Sequence, residues 1–331
     1  MTVREQLNSI AEERIILLDG AMGSIIQILN LDEKSYRGNI LADHPVQLDG
    51  CKDLLCLTRP GAIGAIHDTY LEAGADIITT CSFRSSSVAL AEYDIERLSY
   101  ELCFASAKIA RKSAEKYSVH GRRRFVAGSL GPTKKNVSQI GWDLFEEAYY
   151  ENAKGLLDGG ADILLIETVS DMLNAKAALH AIKRLLKERD IDVPIMISAG
   201  IFNEEGWLRS GESLQEFCET VIQENPWAIG LNCSFNAARL LPHVRLLSEI
   251  VPCLVSVYPN AGLQNIFGRY DEMPNVMADN IEPFLKGKLV NIIGGCCGTT
   301  PAHIAAIAEK ANYYKPRKIP KSGNSNEVSR G

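Results

Sequence analysis

The sequence predicts a single α/β domain of the (β/α)8 barrel class, and three observations predict it. Eight short runs rich in Ile, Val and Leu alternate with longer amphipathic stretches, the pattern of a parallel sheet connected by helices. Two turns repeat almost word for word, Glu72-Ala-Gly-Ala-Asp-Ile-Ile78 and Asp158-Gly-Gly-Ala-Asp-Ile-Leu164. In each, a glycine ends a helix before an aspartate opens a buried strand. Polar and metal-binding residues gather just after the apolar runs, where a barrel places its chemistry.

The expected strands cover 15–19, 76–80, 125–130, 163–167, 195–199, 228–232, 254–258 and 290–293. The clearest helix patterns between them cover 61–73, 144–157, 172–188, 214–223, 239–250 and 302–311. Ser213 with Glu216 reads as a capping box, and Thr300-Pro301 puts a cap and a helix-compatible proline before the last helix. The strands are followed in turn by Asp19-Gly20, Cys81-Ser82, Gly131-Pro132-Thr133, Glu167-Thr168, Gly200, Cys233, Asn260 and the loop 294–300. Residues 31–59 lack periodicity and are expected to form a long loop or lid after the first strand. The barrel is expected over 1–314. Residues 315–331, rich in Lys, Pro, Ser, Asn and Gly, are expected to form a flexible tail or linker stump.

At 331 residues, with 46% apolar and 23% charged residues, the chain has ample material for one large core. The net charge of −6 comes with no basic stripe, so nucleic acid is not an expected partner. Arg122-Arg123-Arg124 is the one strong basic run and reads as a solvated loop in preference to a phosphate site. No apolar stretch approaches the roughly 18 to 20 residues that a membrane span requires, and the N-terminus carries acids and an early helical pattern in place of a signal peptide. Nine cysteines, an odd number, argue against a disulfide framework and for the reducing cytoplasm.

Cysteines that cluster in such a chain are metal ligands or reactive thiols. Cys296 and Cys297 are adjacent and flanked by Gly294, Gly295 and Gly298, and adjacent cysteines form a disulfide only through a strained ring. Two thiolates on one metal is the preferred reading. Cys233 ends the sixth strand, and in a barrel the sixth and eighth strands end at the same rim, so Cys233 is the third candidate ligand. Three thiolates suit a soft four-coordinate Zn²⁺ with one position left open, and the helix beginning near Pro301 favours thiolate through its positive end. Cys51, Cys56, Cys103, Cys218 and Cys253 read as small buried hydrophobes. His67, His180 and His303 fall within helix patterns and read as packing or surface residues.

Together these residues resemble the homocysteine S-methyltransferase family, most closely the N-terminal homocysteine-binding module of cobalamin-dependent methionine synthase. The resemblance rests on Leu18-Asp-Gly-Ala-Met-Gly23, Asp53-Leu-Leu-Cys-Leu-Thr-Arg-Pro60 and the Ala65–Ile78 stretch (65–78), with Gly128-Ser-Leu-Gly-Pro-Thr133 and Ile166-Glu-Thr168. It continues through Leu173-Asn-Ala-Lys176, Gly230-Leu-Asn-Cys233, Pro259-Asn-Ala-Gly-Leu263 and Gly294-Gly-Cys-Cys-Gly-Thr-Thr-Pro301. The resemblance implies that Cys233, Cys296 and Cys297 hold zinc, with the sulfur of homocysteine as fourth ligand. It also places Asp19 and Glu167 against the substrate ammonium, Asn260 near the metal, and Gly131 and Thr133 as backbone donors to the substrate carboxylate.

Three departures bear on the methyl donor. Thr80-Cys81-Ser82-Phe83 stands where methionine synthases commonly read Thr-Asn-Thr-Phe, bringing an extra thiol, Cys81, toward the rim. The segment after Cys233 and the stretch 200–211 with Trp207 also differ from the usual pattern. The resemblance favours methylcobalamin on another polypeptide as donor, with cobalamin- and folate-binding subunits as partners, since such enzymes continue into those domains where this sequence stops. Alternatives are a stand-alone enzyme using S-methylmethionine or betaine, or a non-catalytic zinc- or thiol-binding protein. Thr168 gives no aromatic next to Glu167 to cage a quaternary ammonium, which counts against betaine.

Overall fold

The structure is a computed structural model describing residues 1–119, 121–133 and 135–320. Eight strands, β1 (Ile16–Leu17), β2 (Ile77–Thr79), β3 (Phe125–Leu130), β4 (Ile163–Val169), β5 (Ile195–Ala199), β6 (Ala228–Asn236), β7 (Leu254–Asn260) and β8 (Ile292–Ile293), pair in parallel around a ring. A parallel bridge from Leu18 to Ile77 joins the first strand to the second. There the Asp76 N–H donates to the Leu17 carbonyl at 2.7 Å and the Asp19 N–H to the Ile77 carbonyl at 3.0 Å. The expected (β/α)8 architecture is the observed one.

Side-chain alternation divides the core in two. Ile16, Leu18, Ile77, Phe125, Ala127, Ile163, Leu165, Met196, Ala228, Leu254 and Ile292 form one buried cluster. Their strand neighbours, among them Leu17, Ile78, Val126, Leu164, Ile197 and Val255, belong to the other cluster with the helices. A strand buried on both faces reads as a continuous apolar run, which is why the sequence shows runs instead of alternation. The helix Val3–Glu13, capped by Thr2 and Glu5, adds Leu7 and Ala11 to the inner cluster beside Trp227. The Trp227 indole N–H donates to Asn8 Oδ1 at 2.8 Å.

The repeated turns have a common physical role. Asp76 and Asp162 sit just ahead of β2 and β4, and each carboxylate accepts a backbone N–H from a neighbouring strand, Leu17 at 3.0 Å and Val126 at 2.9 Å. Arginines neutralise them. Arg14, Arg124 and Arg122 reach Asp76 at 2.6, 3.2 and 3.4 Å, while Arg111 and Arg123 reach Asp162 at 2.5 and 2.8 Å. The basic run is therefore solvated only in part: Arg122 and Arg123 are exposed but paired with these aspartates, and Arg124 is not exposed. Arg124 is buried, and burial pulls its pKa down; only a close carboxylate makes such a charge tolerable.

Two long helices depart from the expectation, Ser99–Tyr117 and Pro274–Lys286. The first buries small residues, Ser106, Ala107, Ala110, Ser113 and Ala114, so it lacks the large apolar stripe by which helices are read. That small face lets the helix Trp142–Asp158 approach closely; a Cβ on Gly159 would lie 2.4 Å from the Phe104 carbonyl oxygen. Residues 31–59 are also more structured than expected. Short helices Glu33–Arg37 and Leu55–Thr58 bracket buried Leu41, Leu48, Cys51 and Leu54. The Glu33 carboxylate accepts the Leu48 and Asp49 N–H groups, so polar anchoring replaces a periodic apolar face. Within the expected tail, packing continues through Arg317, which is buried and donates to the carbonyls of Ser248, Val251 and Cys253. Residues 321–331 lie outside the described residues.

Asp76→Ala is expected to cost about 3 to 5 kcal/mol of unfolding free energy in urea titrations, because Arg124 and the Leu17 N–H lose their partner together. A loss under about 1 kcal/mol, the range of a surface pair, would contradict the buried role assigned to this cluster.

Candidate metal centre and substrate site

Cys233 and the pair Cys296-Cys297 meet at the C-terminal rim because the register of three strands brings them there. Cys233 pairs with Pro259 across β6 and β7, and the Cys296 N–H donates to the Pro259 carbonyl at 2.8 Å. The loop is stitched on both sides. The Gly295 N–H donates to the Asp19 carbonyl, the Ala261 N–H to the Cys297 carbonyl, and the Gly298 N–H to Ser24 Oγ at 2.9 Å. Gly298 adopts φ +82°, and a Cβ there would lie 2.2 Å from Cβ of Tyr270, so both conformation and space require glycine.

The backbone of β6 is distorted at the site. Cys233 and Ser234 have φ of +53° and +58°, and the ladder skips from Cys233–Pro259 to Asn236–Asn260. Such irregularities re-aim side chains near functional sites. Here the Cys233 and Cys297 sulfurs stand 3.6 Å apart, and one ligand atom from each of Cys233, Cys296 and Cys297 lies within 4.8 Å of the others. The group can hold a metal ion. Hydrogen bonds from Cys233 and Cys296, with help from Tyr270, hold the Cys297 thiol far down as thiolate. Hydrogen bonds with Cys233 and with Cys297, together with burial, push Cys296 up.

Asn260, at the end of β7, is buried, and its Oδ1 has no hydrogen-bond partner among the described residues. An orphaned amide oxygen on the residue after Pro259, which braces both Cys233 and Cys296, fits a metal centre with a vacant coordination position.

Asp19 and Glu167 lie at the ends of β1 and β4. Asp19 is buried and accepts the Thr79 N–H at 2.8 Å and the Thr79 hydroxyl at 3.0 Å. Burial pushes its pKa well up against those bonds, and the nearby Glu167 charge adds to the rise. Burial likewise pushes Glu167 up to about 7, although the Ser129 hydroxyl, which donates to it, and the neighbouring Tyr258 hydroxyl pull the other way. Two carboxyls raised in this way, Asp19 buried and Glu167 partly buried, would be eased by a cation placed between them.

The structure corrects one expected donor. The Gly131 N–H donates to the Phe83 carbonyl at 3.1 Å, and Pro132 has no N–H, so Gly131 has no free donor to offer a carboxylate. Gly131 instead lines a small recess with Glu167, Tyr149 and Asn174. The Thr133 hydroxyl donates to the Lys135 carbonyl. Cys81 is buried beneath the rim, its sulfur 3.9 Å from Asp53 Oδ1 and outside the three-thiol group. His67 is a fully buried packing residue, His180 pairs with Glu146, and His303 caps its helix with Thr300. Sequence reasoning missed Ser129, Tyr258, Thr79 and Asn232; each is an ordinary strand residue whose role appears only once the ring closes.

Barrel topology and a three-thiol group at the C-terminal strand ends define the class, an α/β barrel with a cysteine cluster that could hold a metal ion at its rim. The chain belongs to the homocysteine S-methyltransferase family, whose pattern matches residues 16–311. It is similar in structure to the homocysteine methyltransferase MmuM of Escherichia coli. To the metallated form it is 24% identical with a TM-score of 0.72, covering 93% of this chain and 99% of that one. To the oxidized form it is 25% identical with a TM-score of 0.70, covering 89% and 96%. No helix among the described residues is long and apolar enough to cross a membrane.

Glu167→Gln tests the partly buried carboxyl. A folded-state pKa raised to about 7 means that the ligand-free protein loses stability as pH climbs from the unfolded value, roughly 4.3, through 7. The variant should therefore melt higher than the parent at pH 8, and this gain should vanish at pH 5. Equal melting temperatures at pH 8 would refute the assignment.

Proposed function

We propose that this chain is a zinc-dependent methyltransferase of the methionine synthase type, converting homocysteine to methionine with methylcobalamin carried on a partner protein. The observation that carries the zinc reading is the three-thiol group, with the buried and unpartnered Asn260 oxygen at the end of the strand that braces it. Thiolate-rich, four-coordinate sites with one exchangeable position are characteristic of catalytic zinc. When bound, the metal supplies acidification of the homocysteine thiol, whose sulfur then takes the methyl group.

The protein's own residues bind and orient. Asp19 and Glu167 receive the substrate ammonium, which supplies the cation that their raised pKa values call for. With a metal bound, the unpartnered Asn260 oxygen would be a candidate for the position that the homocysteine sulfur would take. Thr133 remains the candidate near the substrate carboxylate, at the end of a strand adjoining Glu167. Lys52 is half-buried and shifted downward by burial, a shift that the negative charge of Cys297 opposes; its ammonium donates to the Gly23 carbonyl at 3.0 Å and adds positive potential near the thiolates.

A macromolecular donor is supported by the rim. The loop after β5 exposes Phe202 and Trp207, and the loop after β7 exposes Ile266 and Phe267, the latter pair at 94% and 78%. Apolar residues so placed suit a docking protein better than a small closed pocket. Cobalamin- and folate-binding subunits are the partners this reading requires.

Cys296→Ala should abolish zinc binding, read by metal analysis, and methionine formation, while circular dichroism shows an intact barrel; an active, zinc-loaded variant would overturn the ligand assignment. The donor is tested by supplying homocysteine with methylcobalamin, S-methylmethionine, S-adenosylmethionine or betaine in turn. Turnover with methylcobalamin is expected. Turnover with S-methylmethionine alone would establish the stand-alone reading.

A further inference from the structure

The strand that carries Glu167 is irregular where it matters. Along β4 and β5, Ile166 pairs with Ile197 and Val169 with Ala199, so Glu167 and Thr168 together face the single residue Ser198. Thr168 adopts φ +58°, a left-handed conformation that a β-branched residue holds only when its surroundings impose it. The bulge strands the Thr168 N–H outside the ladder and swings the neighbouring Glu167 carboxyl toward Ser129 and Tyr258.

One side chain imposes this conformation. Asn232, fully buried on β6, reaches across β5 to β4. Its Oδ1 accepts the stranded Thr168 N–H at 2.9 Å and the Ser198 hydroxyl at 2.8 Å. Its Nδ2 donates to Thr168 Oγ1 at 2.8 Å and directs its other hydrogen toward Cys296 Sγ at 4.0 Å. All four hydrogen-bonding positions of the amide are engaged, and neither a carboxylate nor an aliphatic side chain reproduces that set.

We infer that Asn232 is a positioning residue that locks the Glu167–Thr168 bulge to the three-cysteine loop, setting the distance between ammonium recognition and the metal-bound sulfur. The inference rests on the reading that Glu167 receives the substrate ammonium. It assigns to the residue preceding Cys233 a task separate from metal binding: the same peptide segment presents a thiol on one side and fixes a carboxylate two strands away on the other. A substrate whose thiol and amine are separated by a fixed carbon chain requires that spacing to be rigid.

The test compares homocysteine with 4-mercaptobutanoate, which keeps the thiol and carboxylate and lacks the amine. Dissociation constants are measured by calorimetry on the zinc-loaded parent and on Asn232→Ala, with circular dichroism and metal analysis on both. The parent should prefer homocysteine. Asn232→Ala should keep its fold and its zinc and lose that preference by about tenfold or more, with 4-mercaptobutanoate affinity little changed. Adding Thr168→Gly, which adopts the left-handed conformation without strain, should restore part of the preference. An Asn232→Ala protein that retains zinc and the full preference overturns the inference alone. A parent without any preference overturns the ammonium reading and the inference with it. Should Asn232→Ala fail to fold, Asn232→Asp serves the same comparison; it keeps the acceptor for the Thr168 N–H and loses the donor to Thr168 Oγ1, so part of the preference should be lost, and an unchanged preference counts against the inference.

Discussion

The structure depends on one constraint, that sulfurs from two distant segments be held in contact at a strand end. Pro259 is where this is enforced: it pairs with Cys233 on one side and accepts the Cys296 N–H on the other. Because Cys233 is paired in the ladder and the loop carrying Cys296 is pinned to the same Pro259, the thiol spacing inherits the rigidity of the barrel. The strained backbone at Cys233 and Ser234 accompanies that arrangement.

Electrostatics separate the two ends of the barrel. At the strand starts, Asp76 and Asp162 are matched by five arginines, and the charges there stabilise the fold. At the strand ends, Asp19, Glu167 and the Cys297 thiolate lie close together with the partly buried Lys52 ammonium as the nearby cation. Unbalanced negative charge in a buried place is costly to the folded state, and the proposed metal dication and substrate ammonium would offset it. The same polarity distinguishes stability at one face of such barrels from chemistry at the other.

Much of this was legible in the sequence, for physical reasons that differ by element. Strands buried on both faces announce themselves as apolar runs, so β3 and β5 were read to the residue, whereas β1 and β8 are shorter than their runs because only two residues of each enter the ladder. The adjacent cysteines drew attention because a disulfide between neighbours is strained, and the structure brings them together with Cys233 in a group that could hold a metal ion. Helix Ser99–Tyr117 was not legible, since its buried face is mostly alanine and serine, with Leu102 its one large apolar residue. Arg124 and Gly131 were misjudged because a basic run and a Gly-Pro turn look free until their carboxylate and carbonyl partners are placed beside them. Asn232 was the least legible, its meaning depending on a bulge two strands away.

The central claim is that the three cysteines hold zinc with a position that homocysteine sulfur fills. X-ray absorption at the zinc edge tests it most directly by counting sulfur ligands before and after homocysteine is added. The account predicts three sulfurs and one lighter ligand in the free protein and four sulfurs in the complex. A ligand set that stays at three sulfurs with homocysteine bound would contradict it.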